Sequence, residues 1–227
     1  PLMFADGGFT RLDDEIVEVQ PLDPMYLMTD TSSDESFGPG PMFQEHELGE
    51  QSITFHRVPV NKYNENGKFL ERVHEDHDVT VKCSYRKLIA AKRNTPGATW
   101  PEGFEQPGKM PWGKEAAKQL GVSVLRAGRE LELQTAWAET NAADERERWW
   151  GIEVSFSPEL DERMGVTNNK QSATVLARYA TQEKDSLKDL NETEAAMHAR
   201  LRLEEPRVAE MLELKSLIDG FKAKART

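Results

Sequence analysis

The chain has one cysteine, Cys83, among its 227 residues. A single thiol cannot close an internal disulfide, and it excludes a zinc site built from several cysteines. Cys83 sits in the alternating stretch VTVKCSY, so it reads as a buried structural thiol rather than a nucleophile. Long apolar runs are missing as well: none approaches the ~18–20 residues that span a bilayer. No basic-then-apolar leader opens the chain, so the expectation is a cytoplasmic protein with no membrane among its partners. The first residue is Pro1, which reads as the start of a piece of a longer chain. Catalytic motifs are equally scarce. There is no Ser/His/Asp order, no Cys/His pair and no carboxylate pair at a recognisable catalytic spacing. The glycine-dense spots, Asp6-Gly7-Gly8 and Gly38-Pro39-Gly40, precede no helix start of the phosphate-loop kind. Internal repeats and low-complexity segments are absent too.

What the chain does carry is charge, unevenly placed. Its net charge is −11, and residues 1–60 hold twelve acids against two bases, Arg11 and Arg57. Residues 181–227 hold ten acids and nine bases, so the middle of the chain is neutral. The acidic first third is a poor match for direct nucleic-acid contact. Lysines and arginines further on are numerous enough for local patches.

Hydrophobic periodicity gives a sequence of elements. EIVEV (15–19) and MYLM (25–28) read as short strands around a Pro-rich turn, and 29–49 as a loop or linker. SITFHRVPV (52–60) alternates as a strand, and Asn66-Gly67 signals a hairpin to a partner at 68–73. VTVKCSY (79–85) is a further strand, RKLIAAKR (86–93) is helix-compatible, and 94–113 is a long Pro/Gly/Trp loop. A short helix at 114–120 stops at Gly121. Strands at 122–128 and 130–137 follow, turning at Ala127-Gly128, and a third strand covers 149–156. SPELDERMG (157–165) has Ser157 as N-cap and Pro158 at the first helical position. The chain is helical from about 171. Asn191 or Thr193 caps a helix over 191–205, and a second helix restarts at Pro206 with apolar residues at 208, 211, 212, 214, 217, 218 and 221. Strands, a helix, more strands and then helices predict an α+β fold, with a mixed sheet carrying helices on one face and a helical extension after it.

Several side-chain groups are candidates for chemistry. His74 and His77 in VHEDHDV have acids around them and a spacing of three, which suits a metal; a solvated turn is the simpler reading, since no third ligand is indicated. Lys82, Arg86, Lys87, Lys92 and Arg93 form a basic run that suits phosphate backbones or, more plainly, a solvated face. Trp149 and Trp150 are adjacent in a strand, so one of them is expected to be partly exposed as a partner surface. Residues 165–171 read GVTNNKQ, between a hydrophobic strand and a helix. A lysine flanked by amides there can approach a phosphate, because a helix start offers free N–H groups and partial positive charge. A surface turn is the alternative.

Gly121 to Leu131, then Gly151 to Phe156, then Thr167 to Gln171, taken together, resemble the transducer domain of GHKL ATPases, nearest to the MORC-type and chaperone-like branch. In that family a strand pair leads to a Gly-initiated hydrophobic strand and then to a Thr-x-Asn-Lys-Gln loop. VEVQPLDPMYL (17–27) is similar to the end of a GHKL nucleotide-binding domain. The likeness covers about half of the chain, and the Lys-Gln loop is its most specific part.

The resemblance implies a ribosomal-protein-type βαβ fold. It divides the chain into an acidic edge of a nucleotide-binding domain with its linker (1–50), a transducer-like α+β domain (51–180) and C-terminal helices (181–227). It further implies ATP and magnesium as cofactors, held mainly by a nucleotide-binding domain whose Glu/Asn helix and Asp-x-Gly-x-Gly turn are absent from this sequence. The chain alone is therefore expected not to hydrolyse ATP. Lys170 matches the lysine that meets the γ-phosphate, and Asn169 and Gln171 match its neighbours. Arg126 and Arg129 read as structural ion-pair partners. The implied partners are an N-terminal ATPase domain of the same chain, a second copy in a homodimer, and a protein or nucleic-acid client. The alternative function is a nucleotide-independent binding module, using the 82–93 run and the 94–113 loop, or a dimerisation unit through 191–221.

Overall fold

The computed structural model describes residues 2–3, 9–10, 43–86, 111–138, 148–169 and 171–225. Strands β1 (Leu2–Met3) and β2 (Phe9–Thr10) form a small pair of their own. The main sheet has six strands: β3 (Phe43–Glu45), β4 (Gln51–Tyr63), β5 (Phe69–Arg86), β6 (Val122–Arg126), β7 (Arg129–Gln134) and β8 (Trp150–Phe156). Helix α1 (Pro111–Lys118) precedes β6. Helices α2 (Asp161–Met164), α3 (Thr174–Ala180), α4 (Glu194–Glu204) and α5 (Pro206–Ala225) follow β8. The sheet is mixed, with β8 antiparallel to β5 and parallel to β6. The α+β class and the mixed sheet agree with the sequence.

Two neighbouring rows of apolar side chains run across the centre of the sheet. Cys83, Ile152 and Val122 lie side by side across three strands, as do Val81, Val154 and Val124. All six are buried. Burial pushes the Cys83 thiol up to about 12, so it is an inert core group. The β6–β7 turn has positive φ at Ala127 (50°) and Gly128 (76°), the two-residue hairpin geometry that matches strand twist.

The helices cover the face of those rows. Leu160, Met164, Leu176, Met197, Leu201, Leu212, Leu214, Ile218 and Phe221 join the strand valines in one buried cluster. The 20-residue α5 lies on β4, β5 and β8. Val208 and Leu217 pack against the cluster, so every apolar position of the α5 periodicity serves this interface. The C-terminal helices, expected as an extension, thus form the layer over the sheet. Thr193 is the N-cap of α4, its hydroxyl accepting from the Ala196 N–H at 3.2 Å.

Three expectations change. VHEDHDV is no turn: it lies inside the 18-residue β5 and pairs with β4. Trp149 and Trp150 are both buried, at 4% and 2% exposure. Arg86 stacks over the Trp149 ring at 5.2 Å and Lys222 over Trp150 at 5.8 Å. Ser157 has N-cap backbone geometry, but its hydroxyl makes no capping bond and faces the His77 Nδ1 at 3.3 Å. The candidate strands at 15–19 and 25–28, all of the 86–93 helix but Arg86, and most of the 94–113 loop lie outside the described residues; Arg86 ends β5 instead. Pro111–Gly113, from the end of that loop, begins α1.

Only Thr80–Tyr85 of β5 pair with β8, so the earlier part of β5 pairs with β4 alone as a two-stranded ribbon. Near its root the register shifts between Phe55 and Val58, and Arg57 has φ 51°. This bulge frees backbone groups that side chains then satisfy. His56 N–H donates to Glu210 Oε1 (2.8 Å), Arg163 Nη2 donates to the His56 carbonyl (3.1 Å), and Arg57 N–H donates to Asp76 Oδ1 (2.9 Å). His56 Nδ1 sits 2.9 Å from Asp76 Oδ2. That hydrogen bond holds the imidazole above its ordinary value and, together with the Arg57 N–H, holds Asp76 below its own.

The signs set a pH window. The His56 contribution is complete below its ordinary value of 6.5 and is lost as pH rises through the raised one. The Asp76 contribution is present above its ordinary value of 3.8 and is lost as pH falls through the depressed one. The pair therefore helps the bulge most between those two ordinary values. An NMR titration of the His56 ring is expected to give a midpoint above 6.5, returning toward it in Asp76→Asn; a midpoint at or below 6.5 in the parent contradicts the contact.

Candidate functional site

Loop 165–173 joins α2 to α3, and its base is fastened at several points. Gly165 ends α2 with φ 70°, the left-handed conformation that stops a helix. A Cβ at Gly165 would lie 2.6 Å from Val175 Cγ2 and 2.7 Å from the Val175 nitrogen, so α3 packs directly on this backbone. Val166 bridges Ala173, Thr167 N–H donates to the Ser172 carbonyl (3.1 Å), and Thr174 N–H donates to the Gly165 carbonyl (3.0 Å).

Strand β7 grips the same base. Ala173 N–H donates to Glu132 Oε1 at 2.6 Å, and Gln134 Nε2 donates to the Ala173 carbonyl at 3.0 Å and to Glu132 Oε1 at 2.8 Å. Trp137 Nε1–H donates in turn to Gln134 Oε1 (2.9 Å), so the amide is held in one orientation. Sequence reasoning missed Glu132 and Gln134. The available signal was an edge strand ending in a buried-indole segment, QTAW, with polar residues at alternate positions before it.

The tip stands away from this base. Asn168, Asn169 and Gln171 are exposed, and Asn169 Nδ2 donates to Gln171 Oε1 at 2.9 Å. Thr167 Oγ1 donates to Asn169 Oδ1 at 2.5 Å. The structure thus brings Asn169 and Gln171 together, whereas Lys170 lies outside the described residues. The expected helix-start contribution is corrected: α3 begins only at Thr174, and the Ala173 and Thr174 N–H groups are already bonded within the protein. The Glu132 carboxylate sits where an anion would meet that helix start.

Both flanks of the loop are tied to the rest of the fold. Arg126 Nε and Nη2 grip the two oxygens of Asp161 at 2.6 and 2.9 Å, fixing the start of α2 to β6. This is the structural ion pair expected of Arg126; Arg129 is exposed on β7. Arg163, later in α2, lies 3.6 Å from Glu210 of α5. Beyond the loop, Lys215 Nζ of α5 donates to the Ala180 carbonyl at the C-terminus of α3, 3.2 Å away, where a cation suits the helix dipole.

The other candidates do not converge. His74 and His77 are three apart in a strand and face opposite sides. Among the described residues no group of three or more His, Cys, Asp or Glu side chains is placed to hold a metal ion. Of the basic run, Lys82 pairs with Glu50 (3.0 Å) and Arg86 stacks on Trp149, while Lys87, Lys92 and Arg93 lie outside the described residues. No known protein family, curated protein or solved structure matches the chain.

Gly165→Ala is expected to destabilise the fold by about 2 kcal/mol, because a side chain at positive φ is strained and the added methyl meets α3. Urea unfolding measures it, and a loss under about 0.5 kcal/mol would show that α3 can yield at this point.

Proposed function

We propose that this chain is the transducer region of a multidomain GHKL-type ATPase, in which Lys170 meets the γ-phosphate of ATP. The observation that carries the reading is the form of loop 165–173, a base stapled to β7, α2 and α3 with an exposed amide-rich tip. Thr167 to Gln171 of this loop are the most specific part of the sequence resemblance.

The tip's chemistry suits a phosphate end. An amide NH2 carries two donors. Asn169 spends one on Gln171, which leaves Asn169 one N–H, and the Gln171 NH2, for phosphate oxygens. The Lys170 ammonium adds a point charge between them in sequence. Bound ATP supplies the terminal phosphoryl group whose negative charge the lysine meets. Lys170 lowers the cost of charge on that group, while Asn169 and Gln171 orient the loop around it. In this reading magnesium and the adenosine would be held by a nucleotide-binding domain in the longer chain, as the resemblance implies. The lysine contact lasts only while the γ-phosphate does, so the tip reports nucleotide state and α2 and α3 carry the report onward.

ATP binding and turnover of the full-length protein, with Lys170→Ala and Lys170→Arg, test the reading. Lys170→Ala is expected to lose tenfold or more in turnover, about 1.4 kcal/mol of transition-state stabilisation. Its thermal unfolding should match the parent, and Lys170→Arg should recover part of the loss. A parent that neither binds nor hydrolyses ATP overturns the reading, as does a Lys170→Ala enzyme equal to the parent.

A further inference from the structure

We infer that Arg163 and Glu210 form a two-position latch that couples loop 165–173 to the root of the β4–β5 ribbon. The inference does not rest on ATP as the loop's ligand. Both side chains are 8% exposed, yet their closest approach is 3.6 Å, too long for a hydrogen bond. Arg163 Nε and Nη1 and Glu210 Oε2 are buried without a hydrogen-bond partner. A guanidinium and a carboxylate in contact ordinarily close a parallel fork that satisfies such atoms. Two residues earlier in the same helix, Asp161 makes that fork with Arg126.

The fork stays open at Arg163 because each partner is also engaged at the bulge. Glu210 Oε1 holds the His56 N–H, and Arg163 Nη2 holds the His56 carbonyl. Closing the fork draws Glu210 Oε1 toward the guanidinium and off the His56 N–H. Each position thus leaves some buried polar group unsatisfied, so two arrangements compete. In the open one the bulge is gripped and Arg57 is kept at φ 51°. In the closed one that grip is released and the left-handed strain at Arg57 can relax.

The geometry decides what moves. Asp161 is anchored to β6 and Met164 is buried in the core cluster, so α2 stays in place and the Arg163 side chain is the part that moves. Gly165 follows two residues later and opens the loop. Moving the Arg163 side chain between its two positions therefore acts on the loop through Gly165 and on the bulge through His56. The same coupling runs in reverse when the ribbon is held by a partner.

Amide exchange followed by NMR in the 227-residue chain tests this with Glu210→Gln, Arg163→Lys and the double variant. The reporters are His56 at the bulge, Thr167 and Thr174 at the loop base, and Ile152 and Val154 in the central strand. Each single variant is expected to speed exchange at His56 and also at Thr167 and Thr174 by tenfold or more, with Ile152 and Val154 unchanged. The double variant should match the larger single effect, because both changes open one latch. Faster exchange at His56 alone overturns the inference, since the loop is then uncoupled. A uniform rise that includes Ile152 and Val154 overturns it too, because the pair then only holds the fold together. Independent single effects that multiply in the double variant also count against it.

Discussion

The main sheet depends on α5 lying over β4, β5 and β8, whose apolar face continues across to β6. That face is one side chain deep, and β6 and β8 bring five and seven residues to it. Such a sheet cannot bury its apolar face against itself. Met211, Leu212, Leu214, Ile218 and Phe221 supply the opposing surface, and truncating a buried leucine or isoleucine of this kind costs about 2–5 kcal/mol. That is a large share of the roughly 5–15 kcal/mol by which a domain is stable. The polar side chains of the helix do the rest of the joining. Glu210 reaches the β4 bulge, Lys215 the end of α3, and Lys222 the Trp137 carbonyl.

The loop gains its definition from the same arrangement. Its own residues specify a stop at Gly165 and a polar tip. Its position comes from β7, through Glu132 and Gln134, and from α5, through contacts on either flank. A tip of four or five polar residues would otherwise sample many conformations. Here the ends are pinned together by the Val166–Ala173 bridge and its backbone bonds.

Much of the architecture was legible in the sequence, and the exceptions have physical causes. The α5 stripe, the Asn66-Gly67 hairpin and the β6–β7 turn follow local rules that tertiary structure leaves intact. The VHEDHDV segment misled because a ribbon beyond the sheet has no fully buried face to impose alternation, so a strand there looks like a polar turn. Trp149 and Trp150 misled because alternation was expected to expose one of the two, whereas Arg86 and Lys222 cover the two rings. At the loop, the tip residues were legible from composition. Glu132 was not, since its partner Ala173 is 41 residues away, and it cancels the helix-start donors that local reasoning counted on. Arg163 and Glu210 belong to the same class, meaningful only once α2 and α5 meet.

The distance in sequence between the bulge and its clasp has a consequence for how the chain is made. Glu210 bonds His56 across 154 residues, and the helix that carries it follows every described strand in the chain. Until that helix is made the valine face of the sheet has no cover from α5, and the bulge has no carboxylate to grip it. Strands with an uncovered apolar face are the species that aggregate or recruit chaperones. The sheet is therefore sealed by a helix made after it, and a nascent chain stalled before Phe221 carries the described strands without the lid that covers them.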